Sequence, residues 1–272
     1  MSDCNENIQF GKVKAGSAGS VEPQLDDFLI FKGWYSSGYL PHFDSGQVIQ
    51  SVTFRLADSL PQEKLLQFEQ EVAHLPDTDQ DRERRKKMEM WLDAGIGCCA
   101  LKHPALAKVV EDTFFRFDGE RYQLIAWCIM PNHVHVLIEP KVPLLKIVQS
   151  WKSFTGRWAM EKNVELGLDI PGKKLWMREY WDRFIRNEQH LQQAIDYIHE
   201  NPVKAGLTAN AANWPWSSAH PGNADLHPGN AEPQLRIKRN REWCSFHSFS
   251  QLCRNSLRGL VGRNAWMISR GA

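Results

Sequence analysis

The chain has 272 residues, with 33 Lys and Arg against 32 Asp and Glu, 42% hydrophobic residues and 11 Trp. A charged fraction of 24% at a net charge of +1 is an ordinary globular balance. It excludes disordered and collagen-like chains, and the length suits one large domain with insertions or a tail.

The longest nearly apolar stretch, residues 124–131, is too short to span a bilayer. The N-terminal residues show no apolar signal-peptide core. The six Cys form no CxxC pair and no regular framework, so reduced thiols and a cytoplasmic address are expected.

In chain order, residues 1–25 are polar and small and predict a mobile arm. Residues 48–57 alternate through Val48, Gln50, Val52 and Phe54 and predict the first strand. Pro61 opens a helical stretch in which Leu65, Leu66, Phe68 and Val72 give an amphipathic face. Residues 77–91 predict a highly charged helix. Its basic cluster, Arg82 to Lys87, is offset by Asp79, Asp81, Glu83 and Glu89 and reads as a solvated face. A further helix is predicted at 103–117, with Leu106, Val109, Val110 and Phe114 on one side.

Residues 122–129 and 133–138 are strand-rich and separated by Met130-Pro131-Asn132, which predicts a β-hairpin. A helix at 144–160, a loop at 163–174, a strand at 175–186 and a helix at 188–201 follow, the last ended by Pro202 and Gly206. Beyond Trp214-Pro215-Trp216 the unit HPGNADL and its partial copy HPGNA form a turn-rich loop. Hairpins with crossover helices imply an α+β fold, an antiparallel sheet with helices packed on one face.

One constellation carries chemistry. His133 and His135 are two apart on a predicted strand, so both imidazoles project from one face and suit a divalent cation. Tyr197 and Asn201 are four apart on a predicted helix, one turn apart on one face. A histidine-triad nucleotide hydrolase would need a third His where Leu137 stands. A zinc hydrolase would need a carboxylate ligand that no recognisable spacing supplies. A non-cleaving protein that recognises a DNA hairpin is the alternative without catalysis.

The motifs MPNHVHVLI at 130–138, LWMREYWDRFIR at 175–186, YIHENPVKAGL at 197–207 and WPWSS at 214–218 occur in an order that resembles the REP-associated tyrosine transposases. These are single-tyrosine members of the HUH nuclease group. The resemblance runs from about residue 39 to 218 and is strongest over 122–218. It implies a ferredoxin-like antiparallel sheet with the HUH motif on a central strand. His133, His135 and Asn201 would bind Mg or Mn, and Tyr197 would be the nucleophile, with Tyr180 its main rival. The implied substrate is a single-stranded REP-type hairpin, cleaved through a 5′-phosphotyrosine and rejoined to a second 3′-hydroxyl. A monomer, no membrane contact, and a bacterial, nucleoid-associated location go with it.

The chain then divides into an arm at 1–25, a catalytic domain at 26–218 with an enlarged helical region at 60–118, and a basic tail at 219–272. DNA contacts are expected from Lys146, Lys152, Ser153 and Arg157, and from Arg178, Arg183 and Arg186, which interleave with aromatic residues as single-strand binders do. Arg236, Lys238, Arg239 and Arg241 in the tail are further candidates. Residues 201–272 hold 9 Lys and Arg and 3 Asp and Glu. The neutral total therefore conceals a basic C-terminal portion on an acidic remainder.

Overall fold

The structure is a computed structural model, and it describes residues 30–36, 41–60, 70–71, 73–74 and 76–224. The arm, the helix expected from Pro61, Tyr39 and the tail residues Arg236, Lys238, Arg239 and Arg241 lie outside the described residues.

A short antiparallel hairpin, β1 (Gly33–Ser36) and β2 (Pro41–Asp44), precedes the main sheet. Then come β3 (Gln50–Arg55), α1 (Asp77–Asp93), α2 (Pro104–Phe115), β4 (Tyr122–Ile129), β5 (His133–Pro140), α3 (Leu144–Leu166), β6 (Trp181–Phe184) and α4 (Glu188–Lys204). The main sheet has the order β4-β5-β3-β6 and every pairing is antiparallel. From β3 onward this is a βαββαβ run with the ferredoxin-like strand order, and it places β5 inside the sheet.

Helices α2 and α3 pack on one face. Val52, Phe54, Leu106, Val110, Phe114, Val134, Val136, Ile138, Ile147 and Trp151 form that core. On α3 the buried positions Leu144, Ile147, Val148, Trp151, Thr155 and Ala159 recur at helical spacing. The expectation of helices on one face holds for these two. Helix α4 instead covers the opposite face, where Leu191 and Ile198 meet Ala126, Cys128 and Leu137. A register shift between Leu124 and Ala126 makes this second core possible. It reverses the parity of β4, so Tyr122 and Leu124 share the first core with Trp127 and Ile129, and Ala126 and Cys128 turn to α4.

Three expected boundaries move. Helix α3 runs to Leu166, because no Gly or Pro occurs between Met160 and Gly167, which closes it in the left-handed conformation at φ 61°. Helix α4 continues past Pro202 to Lys204. A proline this near the C-terminus removes only one of the last intrahelical donors. The strand expected at 175–186 is paired with β3 only over Trp181–Phe184. Upstream it touches β3 through Met177 N–H to Arg55 O (2.9 Å) and a bridge between Leu56 and Trp176. It then leaves the ladder because Lys152 Nζ gathers the carbonyls of Met177, Arg178 and Glu179 at 3.0–3.1 Å.

The WPWSS segment covers the outer edge of β4. Ile129 N–H donates to Trp216 O, Trp127 N–H to Ser218 Oγ, and Trp214 Nε1–H to Ile129 O. The edge groups of Trp127 and Ile129 are thereby satisfied. Among the described residues no helix is long and apolar enough to cross a membrane.

Candidate active site

The site begins with the pleat of β5. Val134, Val136 and Ile138 enter the larger core. His133 and His135 project from the other side, towards α4, and are 1% and 3% exposed. Their Nε2 atoms meet at 2.9 Å, with the rings perpendicular.

The other ring nitrogens are anchored. Asn132 Nδ2 donates to Ile96 O at 3.0 Å, which turns the amide oxygen to His133 Nδ1 at 2.8 Å. That oxygen only accepts, so His133 carries its proton on Nδ1 and a lone pair on Nε2. His135 then donates from Nε2, and the Thr53 hydroxyl, 2.9 Å from Nδ1, donates back. Thr53 can equally accept from Nδ1. A tautomer shift at His135 therefore turns both Nε2 lone pairs towards one point without moving either ring. Burial holds both imidazoles neutral. It lowers His133 well below its ordinary range, helped by the neighbouring His135, and lowers His135 to about 3, helped by the Lys204 charge.

Helix α4 brings the remaining groups. Asn187 caps it by accepting from His190 N–H at 2.8 Å, and Leu191 and Ile198 seat it on the sheet. One face of the helix then presents Tyr197 and Asn201. The Tyr197 ring stands edge-on to His135, with centroids 5.5 Å apart. Asn201 is 1% exposed and donates from Nδ2 to Tyr197 O at 2.7 Å. Burial raises the Tyr197 hydroxyl above its ordinary range. The charges of Glu89 and Asp93 and a hydrogen bond with Glu89 add to this, and a hydrogen bond with Asn201 opposes it.

The other described tyrosines are elsewhere. Tyr180 is buried, hydrogen-bonded to Tyr35 (3.0 Å) and stacked on His42. Tyr122 is locked in the first core by Phe114 O and Trp151. Among the described tyrosines, only Tyr197 has a ring contact with His135. Leu137, at the position of a third triad His, is buried under α4.

The expected DNA-binding residues divide. Lys146, Ser153 and Arg157 are exposed on α3, on the other side of the sheet from the His pair. Lys152 is turned inward to the three carbonyls, and burial lowers it to about 7. This arrangement corrects its reading as a phosphate-facing side chain. Arg183 is exposed and pairs opposite Ser51, on the sheet face of the imidazoles. Arg178 is 80% exposed beside Glu179. Arg186 lies over the Phe184 ring at 5.4 Å.

Sequence reasoning missed Thr53, Asn132, Arg55, Glu89 and Lys204. Arg55 is 2% exposed, pairs opposite His133 and lies over Trp181 at 5.7 Å. Lys204 Nζ lies 4.8 Å from the Tyr197 ring centre. Asn132 stands next to His133 in the sequence, but only strand register and helix docking identify the others, and neither is written locally in the sequence.

Among the described residues no three His, Cys, Asp or Glu side chains form a metal cluster. Two imidazoles with convergent Nε2 atoms and a nearby buried amide nevertheless fit a divalent cation, since anchored Nδ1 atoms are the usual support for histidine ligands.

Comparison with known proteins identifies the family. Residues 106–201 match the family described as "Transposase IS200 like". A protein of Haemophilus influenzae assigned as a REP-associated tyrosine transposase is 30% identical over 129 residues, 43% of this chain and 72% of that protein. The REP-associated tyrosine transposase of Escherichia coli is 28% identical over 121 residues, 44% of this chain and 63% of that protein. A solved REP-associated tyrosine transposase bound to a REP hairpin aligns at TM-score 0.37 and 20% identity, covering 69% of this chain and 86% of that one. On the strength of the sequence relatives, the chain belongs to the REP-associated tyrosine transposases.

Proposed function

We propose that the chain is a metal-dependent endonuclease and strand transferase for single-stranded DNA, acting on hairpins of the REP type. The observation that carries this reading is the convergence of the His133 and His135 Nε2 atoms beside the ring of Tyr197. His133, His135 and the Asn201 amide oxygen would hold Mg or Mn. Bound there, the ion supplies Lewis acidity to a phosphodiester. Neutral ligands leave its charge intact, which favours an anionic substrate.

Tyr197 is the nucleophile in this reading. A phenol held neutral by burial is a weak nucleophile and needs an activated phosphate. Attack of Tyr197 Oη on phosphorus forms a 5′-phosphotyrosine and releases a 3′-hydroxyl. The covalent bond conserves the phosphodiester energy, so a second 3′-hydroxyl can reverse the step and join strands. Arg183, on the same sheet face, would guide the strand, and Arg178 and Arg186 flank it as further contacts. Lys146, Ser153 and Arg157 would act on a more distant part of the DNA.

Denaturing gels of labelled hairpin DNA incubated with a divalent-ion series test the reading. Tyr197→Phe is expected to abolish the covalent adduct and keep hairpin binding. His133→Ala is expected to reduce cleavage to background. An adduct formed by Tyr197→Phe would transfer the nucleophile to another tyrosine, and full cleavage by His133→Ala would overturn the metal assignment.

A further inference from the structure

The 175–186 segment interleaves arginines with aromatic residues, and the structure treats Trp176, Trp181 and Phe184 differently. Trp176 packs on Phe54 with ring centres 4.8 Å apart and donates Nε1–H to Thr155 Oγ1 at 2.8 Å. Phe184 packs with Trp34 and Phe43 of the β1–β2 hairpin. Trp181 joins neither group. It is half-buried, and among the described residues it belongs to neither hydrophobic cluster. Its indole instead has the Arg55 guanidinium over it, 5.7 Å from the ring centre.

Strand register sets its place. Trp181 stands opposite Thr53 and Arg183 opposite Ser51. Across the other edge of β3, Thr53 stands opposite His135 and Arg55 opposite His133. Directly opposed residues share a sheet face, so Trp181, Arg183, Ser51, Thr53 and Arg55 all lie on the face of the imidazoles. His135, Thr53 and Trp181 form one line across three strands. At the usual strand spacing the indole is about 10 Å from His135. Helix α4 covers this face at Ala126, Cys128 and Leu137 of β4 and β5, and none of the five β3 and β6 residues belongs to that cluster. Ser51, Thr53 and Trp181 are half-buried and Arg183 is exposed.

The charges beside the indole select what this surface takes. Arg55 is 2% exposed and is held from behind, donating from Nη1 to Ser59 Oγ at 3.3 Å. It therefore backs the indole as a fixed cation. Arg183 projects on the same side, two residues along β6. A flat aromatic surface between two cations fits a chain of flat groups joined by anions, which is single-stranded nucleic acid. A base within a stem already has its faces stacked, so the surface takes an unpaired one.

We propose that Trp181, backed by Arg55, is a stacking site for one unpaired nucleobase flanking the cleaved bond, with Arg183 on an adjoining phosphate. This rests on the reading of the His pair as the place of cleavage. The site would lay the strand across β3 towards the imidazoles and separate unpaired nucleotides from a stem.

The test is equilibrium binding of a labelled single-stranded hairpin without divalent ion, each unpaired nucleotide being replaced in turn by an abasic one. Stacking of one base on an aromatic side chain is worth about 5- to 150-fold in affinity. One abasic position is expected to weaken wild-type binding within that range. At the same position Trp181→Leu is expected to lose less than about 2-fold, because the partner of the base is already gone. Trp181→Phe, which keeps a ring, should lose an intermediate amount. Iododeoxyuridine at that position is expected to photo-cross-link the wild-type chain at Trp181, a readout that needs no variant to fold.

Equal losses in wild type and Trp181→Leu at every abasic position overturn the site and mark the indole as packing. Cross-links confined to other residues also overturn it. Cleavage of the intact hairpin by the wild type with Mn separates the two levels. Cutting without any coupled position removes the stacking site alone. A coupled position without cutting keeps the base-binding site and removes the cleavage reading.

Discussion

Two neighbouring imidazoles become a ligand pair only when their remaining nitrogens are held, and here two short polar side chains hold them. Asn132 fixes His133 in one tautomer, and Thr53 leaves His135 able to exchange tautomers. Replacing Thr53 with Val keeps the shape and removes the hydroxyl that partners His135 Nδ1. Loss of such an outer partner typically weakens metal affinity by about 10- to 100-fold. Thr53→Val is therefore expected to need that much more Mn for half-maximal hairpin cleavage, with the rate at saturating Mn restored in large part. An unchanged Mn requirement would show that His135 is oriented by the strand alone. The pair itself was legible in the sequence, because a spacing of two on a strand fixes a common face. Thr53 was not, since its place opposite His135 depends on the register between strands 82 residues apart.

At the level of elements, the hairpin of β1 and β2 is fastened to β6 by a buried ionic cluster. His42 is fully buried, with Nδ1 at 2.5 Å from Asp182 Oδ1 and Nε2 at 3.7 Å from Glu179 Oε2. Burial pushes the imidazole pKa down, but the two carboxylates outweigh it and raise it to about 9. Because the folded value lies above the ordinary 6.5, the stabilisation is complete below pH 6.5, at roughly 3 kcal/mol. It is lost as pH rises through 9. Denaturant midpoints are expected to fall between pH 7 and 9 by the equivalent of about 2 kcal/mol. Asp182→Asn should flatten this dependence and lower the midpoint at pH 7. A midpoint independent of pH in the native protein would show that His42 is neutral when folded. The individual strands and helices were largely readable from periodicity and caps. The break in the 175–186 strand was not, because it is caused by Lys152 reaching in from α3 to three carbonyls. The position of α4 on the second face was likewise hidden. It follows from the reversal of parity in β4, which a single extra residue produces and no composition reveals.

Across the whole chain the charge is unevenly placed, and this bears on how a nearly neutral protein would hold a polyanion. Residues 225–272 carry 8 Lys and Arg against 3 Asp and Glu, whereas carboxylates of α1 stand beside the proposed nucleophile. Acidic groups near the site oppose non-specific attachment of DNA there, so the general attraction must come from elsewhere in the chain. If the basic tail makes phosphate contacts, each contact on a single strand contributes about 0.7 to the slope of log affinity against log salt. Changing Arg236, Lys238, Arg239 and Arg241 together to Ala is then expected to weaken hairpin binding at low salt and to reduce that slope by up to about 3. Cleavage at saturating DNA should stay at the wild-type rate, because none of the four belongs to the constellation of His133, His135, Tyr197 and Asn201. Binding titrations at several salt concentrations decide the matter. An unchanged slope would place the phosphate contacts on the folded domain, with Arg178, Arg183 and Arg186 as the residues to test next. A reduced slope with unchanged cleavage would separate attraction from chemistry, the tail gathering DNA and the two imidazoles with their tyrosine cutting it.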